Sequence, residues 1–515
     1  MTSPTRVLPS ADEGGRLELE SIVSALSAQF AVDTGSRRVV RRSRLDTFDR
    51  RLSSAGLTLE HQIVGAGDSG ERLVLTRADG STVAAPVKSP QWPALAGALP
   101  AGPVRDAVAA VIGIRALLPT SQERRRVRRL ELRNGDGKTV ARVEVDEPDS
   151  TATAAPAQVT VRGLRGYDEQ ARRADRLLAG LGLLAVQDSA GAEAGKRPSP
   201  VAGRDTPARS LLAAALSDFL LTMRENLPGL LDEVDTEFLH DFRVAVRRTR
   251  ATLKLGRPVL PVAIRQHWEP EFKWLGDITT PVRDLDVYVL DLPMLSSWLL
   301  TAEPADLGPL ATHLRSRRTV AHLELAGSLR SARFRRLVTQ WDVELAELAR
   351  IGNTRDTRDT PQEEEHRSAG QLADRAISRA YRRVARDGAV IGADSPAEDL
   401  HDLRKRCKEL RYALEVFAGP LAGQAVTRAA VSDLKGLQDV LGRFQDSEVQ
   451  RHALRTFAQE MMAGGTPAGA VLAMGELIGH LDVEQDRARR EFDAAFARFD
   501  RPSSRRLMHR LGGGL

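Results

Sequence analysis

The chain is 515 residues long, 42% hydrophobic and 4% aromatic, with a single cysteine. At about 150 residues per domain this length implies two or three domains, and the composition excludes a disulfide scaffold, a Cys-rich metal centre and an extended base-stacking platform. The formal charge is only +6, from 75 basic and 69 acidic residues, but just eight of the basic residues are lysine. No apolar run approaches the roughly 20 residues of a membrane span. Residues 1–15 lack the apolar core of a signal peptide. The expectation is a soluble, cytoplasmic, mainly helical protein with no metal and no other cofactor.

From the N-terminus, short alternating runs read as strands. RLELE at 16–20, RLELRN at 129–134 and TVARVEV at 139–145 alternate apolar and polar residues. Gly65 to Gly70 separates LEHQIV from ERLVLTR as a hairpin loop, and Gly135-Asp136-Gly137 marks a second hairpin. Residues 1–186 therefore read as an antiparallel, barrel-like β domain with some helices. A Gly-, Ala-, Ser- and Pro-rich stretch at 187–207 reads as a linker.

Beyond it the apolar period becomes helical. Roughly 300 residues with three-and-four spacing imply helical bundles, so the chain as a whole is α+β. The polar stretch 352–366 divides this region into halves at about 208–351 and 367–500, with 501–515 left as a tail. The halves repeat. HDFRVAVRRTRATLKLG begins at His240 and HDLRKRCKELRYALEVFAG at His401, an offset of 161. Lys273 and Asp284 recur as Lys435 and Asp446, an offset of 162. A repeat this long implies a duplicated four-helix unit, two bundles about a pseudo-two-fold.

At 3.6 residues per turn, His240, Arg243, Arg247, Arg250 and Lys254 form one stripe. Phe242, Val246, Thr249 and Leu253 lie opposite. His401, Arg404, Lys408 and Arg411 repeat the stripe, against an apolar side of Leu403, Cys407, Leu410, Leu414 and Phe417. That placement makes Cys407 a core residue, not a nucleophile. An isolated basic stripe is ordinarily a solvated helix face. Here it recurs with its leading His-Asp, and residues 240–257 carry six basic residues against one acid. Five of the eight lysines (Lys254, Lys273, Lys405, Lys408, Lys435) also fall in the repeated segments. Two such stripes facing each other require an intervening polyanion, and phosphate fits the arginine fork and the lysine point charge.

These motifs, with LG-x-x-x-PVRDLDV after the first and LKGLQDVLG after the second, resemble the CHAD family (conserved histidine α-helical domain) over about 208–500. The resemblance implies paired four-helix bundles around a basic groove that binds inorganic polyphosphate, without catalysis, in the cytoplasm or at polyphosphate granules. It assigns binding roles to His240, Arg243, Arg247, Arg250, Lys273, Arg283, His401, Arg404, Lys408, Arg411 and Lys435. Arg315, Arg318, Arg379 and Arg383 on other helices are further candidates. One departure is Gln445-Asp446, where the first half has Arg283-Asp284.

CHAD domains often follow a CYTH domain, a triphosphate tunnel fold, and residues 16–185 resemble a degenerate one. Glu18 and Glu20 stand where that family's Glu-x-Glu-x-Lys opens, with Ile22 in place of the lysine. Leu45-Asp46-Thr47 lacks the tyrosine of the family's Tyr-x-Asp-Thr. Glu60 and Gln62 occupy the place of basic phosphate ligands, and Thr76 and Arg77 that of an LK pair. Arg142, Glu144 and Asp146 resemble a late metal-holding strand. Acids without a cationic cradle imply a domain without hydrolase activity. The alternatives are a triphosphate or polyphosphate hydrolase in this domain, or a nucleic-acid-binding protein, suggested by the basic helices and a pI near 9.7. GAGDSG at 65–70 lies between two strands and is neither a dinucleotide loop nor a protease motif.

Overall fold

A computed structural model describes residues 5–7, 19–65, 70–149, 156–185, 203–353 and 367–513. The chain folds into two compact units, 1–197 and 198–515.

The first unit comprises β1 (Thr5–Val7), α1 (Leu19–Ser27), β2 (Ala31–Asp46), α2 (Arg51–Ser54), β3 (Leu57–Val64), β4 (Gly70–Arg77), β5 (Thr82–Val87), α3 (Pro103–Ile112), β6 (Leu118–Arg133), β7 (Thr139–Pro148), β8 (Gln158–Gly163), α4 (Asp168–Ala179) and β9 (Leu184–Ala185). The strands form one nine-stranded sheet in the order β5-β4-β3-β2-β6-β7-β8-β1-β9. Neighbouring strands run antiparallel throughout. Among the described residues β5 and β9 do not pair with each other, so the sheet is an open half-barrel. Both expected hairpins are present, as Val64 opposite Gly70 and Arg133 opposite Thr139. In the second turn Asn134 Oδ1 accepts from the backbone N–H of Asp136 and of Lys138, and Gly137 takes a φ of 72°.

RLELE at 16–20 is not a strand. Residues 16–18 lie outside the described residues, and Leu19 opens α1, whose Ile22 and Leu26 bury one helical turn apart. Helical spacing of the following apolar residues overrides the short alternation. Two clusters cover one sheet face. Val143, Val145, Val159, Val161, Leu130 and Leu132 pack with α1 and α4. Leu45, Leu59, Leu73 and Leu75 pack with α3. The other face is polar and lines a cavity of about 520 Å³.

The second unit is helical: α5 (Ala208–Leu231), α6 (Thr236–Leu255), α7 (Val262–Ser296), α8 (Gly308–Leu329), α9 (Ala332–Asn353), then α10 (Ala369–Ala389), α11 (Ala397–Ala413), a π turn at Leu414–Ala418, α12 (Gly419–Ala422), α13 (Gln424–Met462), α14 (Ala468–Phe499) and α15 (Pro502–Leu511). Packing repeats between the halves: α5 on α6 and α6 on α7, then α10 on α11 and α11 on α13. Against the four implied by the repeat, the described residues form five helices in the first half and six in the second, counting the one-turn α12. The stretch read as a tail carries α15, which packs on α10 and α13 and buries Met508 and Leu511. The end of the expected linker is also built in. Thr206 O accepts from Ala369 N, and Pro207 bridges Ser368, so the two halves are stitched at their starts.

The halves share a core. Leu285, Tyr288, Leu310 and Leu314 of the first pack with Leu454, Phe457, Met474 and Leu477 of the second. No described helix is long and apolar enough to cross a membrane.

Candidate polyanion-binding site

Asp235 caps α6, its carboxylate accepting from the N–H of Glu237 (2.9 Å) and Phe238 (3.3 Å). The apolar sides expected for both motif helices are buried: Phe242, Val246, Thr249 and Leu253 on α6, and Leu403, Cys407 and Leu410 on α11, followed by Leu414 and Phe417 in the π turn. Burial pushes the Cys407 thiol up to about 12, which leaves it inert at neutral pH. Burying these sides turns both stripes away from the bundle cores, and α6 packs against α11.

The first-half cations are held on α7. Arg243 Nη1 donates to Gly276 O (3.2 Å), Thr279 Oγ1 (2.7 Å) and Thr280 Oγ1 (3.0 Å). Arg250 lies on the same seam, its Nη1 3.0 Å from where a Cβ on Gly276 would stand. Burial, then Asp284, then the cations Arg247 and Arg283 act on Arg243, with a net lowering of its pKa. Arg283 is half-buried, and its Nη1 is buried with no hydrogen-bond partner among the described residues. The half-buried His240 is held below the ordinary histidine range, first by burial and then by Arg283.

In the second half Arg404 pairs with Asp446 at 3.0 Å. His401 Nδ1 meets Gln445 Oε1 at 2.6 Å, and Gln445 Nε2 donates to Glu448. This amide orientation makes Nδ1 the donor and leaves Nε2 as the remaining polar atom of the ring. Lys408 is lowered by burial, then by Arg404 and by Arg247. Arg247 belongs to α6 and Lys408 to α11, so the stripes of the two halves feel each other's charge directly. Tyr288 is pushed up to about 12 by burial, then by Asp284, Asp446 and Asp291. These acids bring α7 and α13 to the edge of the same basic centre.

The other candidates divide. Lys254 reaches across the halves to Glu409, and Arg248 does the same to Glu415. Acids from α11 and the π turn thus offset a stripe that has few acids of its own. Lys273 pairs with Asp277 (2.8 Å) and Arg411 with Glu415 (2.7 Å), both one turn away. Arg318 is committed to Asp286 and Glu233, each at 2.6 Å. Arg383 stands 3.8 Å from Glu409. Arg315, Arg379 and Lys435 are exposed on α8, α10 and α13. Thus Arg243, Arg247, Arg283, Arg404, Lys408 and the two histidines make the centre, and the rest lie around it. Acids supplied across the fold, such as Glu409, carry no signal in the sequence of α6.

The tunnel-like residues of the first unit are locally consumed. Glu20 is exposed on α1, and Glu18 lies outside the described residues. Asp46 caps α2, accepting from Leu52 N (2.9 Å), Ser53 N (3.1 Å) and Ser53 Oγ (2.5 Å). Gln62 donates to Glu60 and accepts from Arg72. Asp146 is clamped by Arg42 and by Arg125, the latter at 2.6 Å. Glu144 stands 3.9 Å from both Arg42 and Arg129, and Arg142 3.4 Å from Glu131. Among the described residues no group of three or more His, Cys, Asp or Glu side chains could hold a metal ion.

Residues 214–455 match the family profile of the CHAD domain, so the helical unit contains a CHAD domain. An uncharacterized protein of Mycobacterium tuberculosis is 26% identical over 275 residues, 51% of this chain and 48% of that protein. The chain thus spans about half the length of the curated relatives it matches. The crystal structure of the CHAD domain from the plant Ricinus communis aligns at 25% identity over 60% of this chain and 97% of that one, with a TM-score of 0.47. A Hippeastrum adenylyl cyclase candidate with a dominant triphosphatase activity aligns with 38% of this chain and 96% of its own, at 14% identity and a TM-score of 0.26.

Proposed function

We propose that the helical unit binds inorganic polyphosphate between α6 and α11, without catalysis, and that this binding associates the protein with polyphosphate granules. The observation that carries the reading is the packing of α6 on α11, which brings Arg247 and Lys408 from opposite halves to one centre. Both side chains are exposed, and cations held close together favour a multivalent anion that neutralises several of them at once. Arg283 Nη1, without a partner among the described residues, supports it, since a buried unpaired donor calls for a ligand. Polyphosphate suits the centre better than nucleic acid, because it needs forks and point charges and no stacking surface.

Titration of the full chain with polyphosphate tests this. With roughly six to ten phosphate contacts, log affinity should fall steeply and linearly with log salt. DNA or RNA at matched charge should compete poorly; equal competition would overturn the choice of ligand.

For the first unit we propose no hydrolase activity. Asp146, the acid of the metal-like strand, is neutralised by Arg42 and Arg125, and Glu144 stands beside Arg129 and the same Arg42. Incubation with tripolyphosphate and magnesium or manganese should release no phosphate beyond that of a Glu144→Gln variant. Release above that control would sink this reading.

A further inference from the structure

The outer face of the sheet carries a second, unassigned cationic feature. Between the cluster under α1 and α4 and the cluster under α3, the β2–β6 ribbon shows two rows of arginine. Arg37 stands opposite Arg128, and Arg41 opposite Arg124, with Val39 opposite Arg126 between them. Like charges directly opposite on neighbouring strands destabilise a sheet. Two acids answer these five arginines: Asp149 meets Arg124 (3.4 Å) and Arg126 (3.2 Å), and Glu147 stands opposite Arg126 on β7. Among the described residues no acid forms an ion pair with Arg37, Arg41 or Arg128. Arg37, Arg126 and Arg128 line a small hollow with Leu19, Val145 and Glu147.

The alignment of the rows is built. At Gly35 and Ser36 β2 bulges, two residues opposing Arg129 alone. A Cβ on Gly35 would stand 2.8 Å from Arg129 O, so the close approach requires glycine. The bulge reverses which residues face outward and sets Arg37 and Arg41 beside Arg128 and Arg124.

We propose that this ribbon is a second docking strip for an extended polyphosphate chain, separate from the helical site. Its two rows lie about 4.8 Å apart and run for about 14 Å along the strands, a track for a linear anion. Neither row contains an aromatic ring, which favours a bare phosphate chain over stacked bases. The choice of ligand rests on the function proposed above; the strip itself rests on the register.

Isothermal titration of the full chain with a short-chain polyphosphate tests it. Wild type should bind two chains. Arg37→Glu with Arg41→Glu and Arg128→Glu should bind one, and so should Arg247→Glu with Lys408→Glu. The corresponding Gln triple variant, uncharged and less disruptive to the sheet, should also lose one chain. Unchanged stoichiometry and affinity in the Gln variant would overturn the strip, as would a single wild-type site abolished by the helical pair. If the helical pair leaves binding unchanged, the function proposed above fails, and the Gln variant still decides the strip. DNA displacing the strip-bound chain at equal charge would also overturn the assignment.

Discussion

The two halves of the helical unit place matched histidines in unlike company. His240 faces Arg283, a cation that cannot accept a hydrogen bond, while His401 donates to Gln445. Arg404 is closed onto Asp446 at 3.0 Å, whereas Arg243 is anchored on Gly276, Thr279 and Thr280 and feels Asp284 as a neighbouring charge. Duplication has kept the stripe cations and changed their partners. At the matched arginines, Arg243 forms no ion pair among the described residues while Arg404 is closed onto Asp446, so a polyanion should engage Arg243 more readily than Arg404.

The largest effect should come from the cations that face each other. Arg247→Glu with Lys408→Glu should weaken polyphosphate binding by about a hundredfold or more, since each removes a charge-assisted contact and adds repulsion. Arg257→Glu with Arg428→Glu, equal in charge and off the stripe, should cost far less in the same titration. Equal losses would reduce the stripe to a solvated face.

Next in size is the response to pH. His240 has a lowered pKa in the free protein, and a phosphate beside it would raise it, so binding should take up a proton. Affinity should therefore rise as pH falls from about 6.5, by at most about tenfold per unit for one proton. His240→Gln should remove that rise. The same shift has the opposite consequence for the empty fold. The unfolded state takes the proton first, so His240 withdraws stability as pH falls below about 6.5. Thermal melts with and without ligand across this range should diverge.

Exchanging the partners tests the comparison directly. Arg283→Gln should flatten the slope of log affinity against log salt by about one, and Gln445→Arg should steepen it by as much. The smallest effect belongs to Asp446. Asp446→Asn frees Arg404 and should strengthen binding a few-fold, as expected for a pair whose carboxylate is exposed. Weaker binding in that variant would mean that Asp446 orients Arg404 and does not compete with the ligand.

Much of the helical site was legible in the sequence. The constant offset gave the equivalence of the halves, and helical periodicity gave the buried side of each motif helix down to Cys407. Partners contributed across the fold were not legible. Glu409 and Glu415 lie more than 150 residues from Lys254 and Arg248, and nothing in α6 announces them. In the first unit, β6 reads as a strand only at its apolar end, because QERRRVRR lacks clear alternation although it forms half of the strand. Asp46-Thr47 has the composition of a ligand element, and only the backbone geometry shows that it caps α2.

The bulge at Gly35 has a mirror further along β2. Thr34 opposite Leu130 and Leu45 opposite Pro119 lie on one straight register, while residues 37–44 between them are displaced by a single position. A second irregularity between Arg44 and Leu45 restores the frame. The displaced segment contains Arg-Arg-Val-Val-Arg-Arg at 37–42, which presents arginine, valine, arginine to either face whichever way it is turned. Its pattern cannot choose between the two frames. The choice falls to its neighbours: β3 runs an unbroken ladder along Val40 to Leu45, and in the displaced frame Arg42 pairs with Asp146. The sheet thus stores a frameshift in the middle of a strand, with a bulge-free ladder one residue away.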